Sequence, residues 1–439
     1  MRNNLFAAAV ALLISVCLTV SINPCTAQKY VGGDISLLPK YEEHGAKYLD
    51  SNGQAITGGM INYFKQQGWN AMRVRLFVDP SKAPQAHKGE GVCQDLAFVR
   101  ELGQQIKAAG LAFMLDLHYS DTWTDPGKHS TPSDWASNDP DELASMLSDY
   151  TRHILNELNE AGATPDFVQP GNEITYGMLW PTGHVWPGGG GQDGGTWENF
   201  AKYLKAGIKA IREMCPEAKI VIQTEMSKAQ NVTNFYKTLA DYTDDYDVIG
   251  LSYYPHYHGT LATLKGVLNS LSNTYPDKKI QIVETGYYHK WYPDDASYKI
   301  SSFPNWPATN AGQLQFTKDL IETLNTYDNV DGLYWWFPEA NESGLNWSTQ
   351  RVTDNWYNAS LFDNENGRAM PALYELRNFL TEEQLGIDLR GETKDERGEK
   401  QSSLYNLNGQ RIISSPSGRL GGVLPKGIYV TGNKKVILK

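Results

Sequence analysis

The sequence predicts an α/β chain, a (β/α)8 TIM barrel followed by a short β-rich C-terminal tail. Two observations carry that reading. Between residues 28 and 380, short β-rich runs alternate with amphipathic helical stretches, and eight such runs can be counted. No glycine-rich turn follows an early strand with a helix behind it, so an open doubly wound sheet lacks its usual signature. The chain of 439 residues leaves ample room for a barrel of about 250 residues or more.

Met1–Ala27 has an early arginine, an apolar run from Leu5 to Val20 and a small residue at its end, which is the pattern of a cleaved signal peptide. No later stretch is apolar enough to span a membrane. The chain is therefore expected to be secreted, with a cell-surface or periplasmic location also open. Cys17 and Cys25 lack a convincing lipidation motif, and Cys93 and Cys215 are expected as free thiols. The strands are read at Gly32–Leu37, Ala71–Phe77, Ala112–Leu117, Phe167–Pro170, Lys219–Gln223, Val248–Leu251, Ile280–Val283 and Gly332–Trp336. Between them, Leu96, Val99, Leu102 and Ile106 recur at helical spacing until Gly110. Further helices are read over Glu142–Ala163 and Trp197–Met214. Residues 28–380 thus form the barrel, and residues 381–402, charged and poor in large apolar groups, form a linker. Residues 403–439 alternate like strands around turns such as Asn408-Gly409, fitting a sorting or anchoring tail or a plain accessory hairpin.

Composition narrows the function. A net charge of -11 leaves no surplus of Lys and Arg for phosphates, so no nucleic-acid partner is expected. Twelve Trp and 25 Tyr supply flat amphipathic rings, which pack cores and also stack on sugar faces.

Barrel sites form where strands end. Glu173 follows the fourth strand and Glu284 ends the seventh, so both would project from one rim. Such a pair is what glycoside hydrolysis needs: one carboxylic acid protonates the leaving oxygen while a carboxylate meets the developing cation. Asn172 precedes Glu173. Arg73 and Arg75 alternate with Met72 and Val74, so an interior guanidinium can orient a carboxylate. His118, Asp121 and Trp123 crowd one turn after the third strand, suited to hydroxyl binding beside ring stacking. Trp335 and Trp336 end the eighth strand. His256-x-His258 could be a metal pair, yet the further His and Asp ligands are missing, so no metal is predicted.

These motifs together resemble the endo-β-1,4-galactanases of glycoside hydrolase family 53. The likeness rests on Arg73-Val-Arg75 with Asp79-Pro80, on Leu115 through Gly127, and on Gly171-Asn-Glu-Ile-Thr-Tyr-Gly-Met-Leu-Trp-Pro. Gly250-Leu-Ser-Tyr-Tyr-Pro, Val283-Glu-Thr and Leu361-Phe-Asp add to it. It implies a retaining enzyme in which Glu173 is the general acid/base and Glu284 the nucleophile. Arg73, His118, Asn172, Tyr253 and Trp336 would form the shell at the cleavage point, and Asp121, Trp123 and Trp180 would form parts of the cleft. The implied partner is β-1,4-galactan or type I arabinogalactan, cut internally to galacto-oligosaccharides. A monomer that needs no cofactor for catalysis is expected. Two departures stand out. The chain reads Phe337-Pro338-Glu339-Ala340 after Trp336, where the family usually has a Glu and a later Trp. The loop from Tyr287 to Asp295 lacks the ligand alternation of the calcium site some bacterial relatives carry, so structural calcium stays open but is not predicted. Three rivals remain open: a retaining hydrolase of another β-glycan, a non-catalytic glycan-binding surface barrel, and a metal-dependent hydrolase.

Overall fold

A computed structural model describes residues 28–385 apart from 136, 227 and 382, and the tail strands lying between 393 and 438. The leader segment Met1–Ala27, with Cys17 and Cys25, lies outside the described residues.

Eight parallel strands close into a barrel in sequence order. They are β1 (Tyr30–Asp34), β2 (Ala71–Leu76), β3 (Ala112–Leu117), β4 (Phe167–Pro170), β5 (Lys219–Glu225), β6 (Val248–Tyr253), β7 (Lys279–Thr285) and β8 (Val330–Trp336), and β8 pairs with β1 to close the ring. The first strand was expected at Gly32–Leu37 but runs two to three residues earlier. Asp34 Oδ1 accepts the Ser36 N–H at 3.1 Å and turns the chain, and the Leu37 N–H donates to Glu339 Oε1 at 2.9 Å instead of extending the ladder. Close approach here requires glycine: a Cβ on Gly32 would meet the Ala71 carbonyl oxygen at 1.8 Å.

Helices cover the outside. Leu96–Ala108, Pro140–Glu160 and Trp197–Met214 start where Asp95, Asp139 and Thr196 accept hydrogen bonds from first-turn N–H groups. Their apolar stripes, with those of Ala229–Leu239, Leu261–Thr274 and Asn310–Leu324, bury the outward residues of the strands. Val74, Leu115, Val168, Ile222, Leu251 and Leu333 belong to this layer. The inward residues form two storeys. Below, Ala71, Met114, Phe167, Val221, Val248, Val283 and Tyr334 make an apolar plug. Above it, the next inward positions are polar and buried, among them Asp34, Arg73, Asp116, Gln169, Gln223 and Ser252. A polar storey over an apolar plug needs internal partners, because buried charges survive only when paired.

One irregularity matters for the upper storey. On β7 the register slips: Leu251 pairs with Ile282, but Ser252 pairs with Glu284. This bulge skips Val283, so Val283 joins the plug and Glu284 still faces inward.

At the base of the barrel the two ends of the domain clasp. The Lys29 N–H donates to Gln384 Oε1 at 3.1 Å, and Gln384 Nε2 donates back to the Lys29 carbonyl at 2.7 Å. Beyond this point five short strands, β9 (Thr393–Lys394), β10 (Lys400–Asn406), β11 (Arg411–Ser415), β12 (Gly427–Thr431) and β13 (Lys434–Leu438), make an antiparallel sheet. β9 and the start of β10 fall within the stretch read as linker. Among the described residues no helix is long and apolar enough to cross a membrane.

Candidate active site

The polar storey opens into a cleft of about 470 Å³ at the C-terminal ends of the strands. Arg73 organises it. Its Nη1 lies 2.9 Å from Asp34 Oδ2, and its Nη2 lies 2.9 Å from both Asp116 Oδ2 and Glu284 Oε1 and 3.0 Å from Asn172 Oδ1. Arg75 shares Asp34 at 3.0 Å and lies beneath the aromatic wall, 4.4 Å from the Trp123 ring and 4.9 Å from that of Phe337. Fully buried, Arg73 stays charged because the surrounding carboxylates outweigh its desolvation. Burial alone would raise Asp116, but Arg73 and His118 hold it below the usual carboxylate range.

The two glutamates meet different surroundings. Glu284 accepts from Gln223 Nε2 at 2.8 Å and from the Tyr254 hydroxyl at 3.0 Å, besides its contact with Arg73. Burial raises its pKa, with Arg73 and Gln223 pulling the other way. Among the described residues no cation pairs with the Glu173 carboxyl. Burial and then the charge of Glu284 push it well above the usual range, opposed only in part by a hydrogen bond from Ser252. One carboxyl is thus arranged to hold a negative charge and the other to hold a proton. Glu173 also occupies left-handed backbone, φ 49°, a conformation that costs a non-glycine residue about 1–3 kcal/mol unless its surroundings fix it. Gln223 Oε1 accepts its N–H at 3.1 Å, and His129 Nε2 donates to its carbonyl at 3.3 Å. Gln223 therefore touches both glutamates, the backbone of one and the carboxylate of the other.

Glu173, Glu284, Asn172, Trp123 and Trp336 all line the cleft, while Arg73 lies directly beneath, bonded to Glu284 and Asn172. His118 is buried behind the cleft: its Nδ1 accepts the Thr124 N–H, and its Nε2 lies 3.1 Å from Asp116 Oδ2, so it orients Asp116. Three expected residues stand elsewhere. The Asp121 carboxylate accepts from Ser133 N and Oγ at 2.8 and 2.7 Å and braces a loop. Trp180 stacks on His184 and borders an adjoining depression. Tyr253 is buried with its hydroxyl on the Gly259 carbonyl at 2.9 Å, away from the cleft. Its neighbour Tyr254 reaches Glu284 instead, because Tyr254 shares the inward face with Ser252 two residues earlier. Sequence reasoning passed over Gln223, Ser252, Tyr254, Glu225 and Trp356. Strand parity counted back from Ser252 was the signal for Tyr254; Gln223 and Glu225, at the end of β5, offered the same inward alternation. His256 and His258 are both buried, and among the described residues no cluster of three or more His, Cys, Asp or Glu gathers as metal ligands would. Cys93 and Cys215 are free thiols.

A closed parallel barrel with an asymmetric carboxyl pair at its mouth is the arrangement of a glycoside hydrolase. The sequence pattern of glycosyl hydrolase family 53 matches residues 30–376, and the chain belongs to that family. The arabinogalactan endo-β-1,4-galactanase A of Aspergillus niger is 32% identical over 323 residues, covering 71% of this chain and 85% of its own. The family 53 catalytic domain of Ignisphaera aggregans is 32% identical and superposes with a TM-score of 0.70 over 81% of this chain and 97% of that one. A fungal β-1,4-galactanase structure gives 0.66 at 28% identity, covering 80% and 99% of the two chains. The protein is a glycoside hydrolase on a (β/α)8 barrel.

Proposed function

We propose that the protein is a secreted, retaining endo-β-1,4-galactanase that cuts galactan and type I arabinogalactan internally, as a monomer and without a cofactor. The observation that carries the mechanism is the unequal treatment of the two glutamates. Arg73, Gln223 and Tyr254 all address Glu284 with positive charge or hydrogen-bond donors, which supports its role as nucleophile at the anomeric carbon. Glu173, pushed up by burial and by the charge of Glu284, retains the proton that the departing oxygen requires. Once the glycosyl-enzyme has formed, the charge on Glu284 is gone, the pKa of Glu173 falls, and the same group serves as base toward water. A retaining pair needs a short gap, about 5 Å, and the charge of Glu284 felt at Glu173 supports such a close pairing. The substrate comes from the family relatives that are named galactanases, and the Trp123–Trp336 wall supplies faces on which a sugar can stack. Secretion is supported by the leader pattern of residues 1–27.

The mechanism is tested with Glu284→Ala. That variant should lose turnover of galactan, then recover activity on an activated aryl β-galactobioside when azide is added, giving the α-configured azide. A β-configured azide, or no recovery, assigns the nucleophile elsewhere. A time course on linear galactan tests the internal cut: mid-sized oligosaccharides should come first. Galactose alone from the outset would mean end-wise attack.

A further inference from the structure

We propose that Glu225 and His258 together recognise one hydroxyl of the sugar that departs, which makes them a specificity-determining pair on the leaving side of the cleft. This deepens the galactanase reading and rests on Glu173 being the acid/base.

Glu225 is the last residue of β5, and His258 ends the short helix Pro255–His258 after β6. Both line the cleft, although they are only 2% and 5% exposed. The Tyr254 N–H donates to His258 Nδ1 at 3.0 Å, so that nitrogen carries no proton and the ring proton resides on Nε2. Burial lowers the His258 pKa to about 3, which keeps the ring neutral and the tautomer fixed. The Nε2 donor then lies 3.7 Å from Glu225 Oε2, too far for a direct hydrogen bond. Donor and acceptor stand side by side, close enough for one oxygen set beside the pair to reach both. A hydroxyl oxygen placed against both accepts from His258 and donates to Glu225 at ordinary lengths. Of the common ligand groups, an ammonium could not accept from the imidazole and a carboxylate would repel the glutamate; a hydroxyl does both jobs.

The side of the cleft follows from where Glu225 is held: its N–H donates to Thr175 Oγ1 at 3.1 Å, two residues past Glu173. After burial and the charge of Glu284, the negative charge of Glu225 adds to the rise at Glu173. At Glu284, after burial, the groups that act are Arg73, Gln223, Asp116 and Asp34, most of them on β1–β3. Glu225 thus belongs to the neighbourhood of the acid. The proton from Glu173 goes to the bridging oxygen as the bond to the anomeric carbon breaks, and that oxygen stays with the departing sugar. Groups beside the acid and away from the nucleophile therefore face that sugar. Farther out on the same side, Tyr176 meets Trp186 edge-on at 6.1 Å, and Trp186 is 51% exposed on the glycine-rich loop, a flat ring for the next unit.

The test compares Glu225→Gln and His258→Gln with the unaltered chain on two substrates. One is linear β-1,4-galactan, whose leaving group is a sugar. The other is dinitrophenyl β-galactobioside, whose leaving group has no hydroxyl to offer. The expected result, in both variants, is a drop of tenfold to a hundredfold, on the order of one hydrogen bond to a charged group, in the ratio of kcat/KM on galactan to kcat/KM on the aryl substrate; His258→Gln removes no charge near Glu173, so a drop confined to Glu225→Gln reports only an altered acid and overturns the proposal. Partial misfolding scales both rates alike and leaves the ratio untouched. An unchanged ratio, whether both rates fall or neither does, overturns the proposal. Inactivity of the unaltered protein on both substrates would instead count against the galactanase reading and shows before any variant is made.

Discussion

Arg73→Met keeps most of the side-chain length and removes its charge. The guanidinium stands 2.9 Å from each of three buried carboxylates, those of Asp34, Asp116 and Glu284. Each contact approaches about 4 kcal/mol at an effective dielectric of about 20, but the variant softens the loss by binding protons. Removing one partner of a buried pair costs about 3–5 kcal/mol, and a cation shared three ways belongs at the upper end. The sign with pH follows from Asp116, which Arg73 and His118 hold below the usual range against burial. In the parent, that depressed pKa contributes stability above the unfolded value and loses it as the pH falls through the folded one. In the variant the carboxyl groups rise above their unfolded values, so stability declines as the pH increases. The difference between the two chains is therefore small near about pH 3 and reaches about 5 kcal/mol by about pH 7. Urea unfolding at both pH values measures it. The acidic limb of the activity profile should also move upward, because Glu284, the proposed nucleophile, would have to be ionised to attack. A cost at pH 7 below about 1 kcal/mol, the size of a surface pair, or one that does not vary with pH, refutes the role given to Arg73.

Tyr254→Phe removes the 3.0 Å hydrogen bond to Glu284 Oε2 and should lower kcat by about tenfold to a hundredfold. Tyr253→Phe, which loses only the bond to the Gly259 carbonyl, should cost about 1 kcal/mol in denaturant with kcat unchanged. Arg75→Met withdraws the cation beneath Trp123 and Phe337, so initial rates on galactan should show KM rising more than kcat falls. Glu339 is buried and its pKa is raised from 4.5 to about 8, mainly by that burial. A raised folded pKa means stability is lost as the pH climbs from the unfolded value to the folded one. Glu339→Gln can still accept the Leu37 N–H, so thermal scans from pH 5 to 8 should show a flatter Tm profile than the parent; an equally steep one removes Glu339 as the cause.

The barrel was legible because its helices carry apolar spacing and caps, and because its strands read as short buried runs between them. Trp197–Met214 is seen where the pattern put it. The first strand misled because Ile35 and Leu37 look like a continuation, while the bonds that end it come from Asp34's own side chain and from Glu339, some 300 residues away. Glu173 and Glu284 were legible as acids at strand ends. That Glu284 faces inward was not, since strict alternation after Gln281 and Val283 would turn it out and only the bulge restores it. Gln223 was invisible for a related reason. An amide in a strand gives no chemical signal until the two residues it joins are known to be neighbours in space.

The clasp between Lys29 and Gln384 fixes where the chain departs from the catalytic body. Lys29 precedes the first strand, so the departure point is on the floor of the barrel and the groove is on its roof. Whatever follows that clasp leaves the barrel at the end opposite the cleft. An attachment through the C-terminal portion would therefore pull on the barrel from the end opposite the groove rather than from its rim.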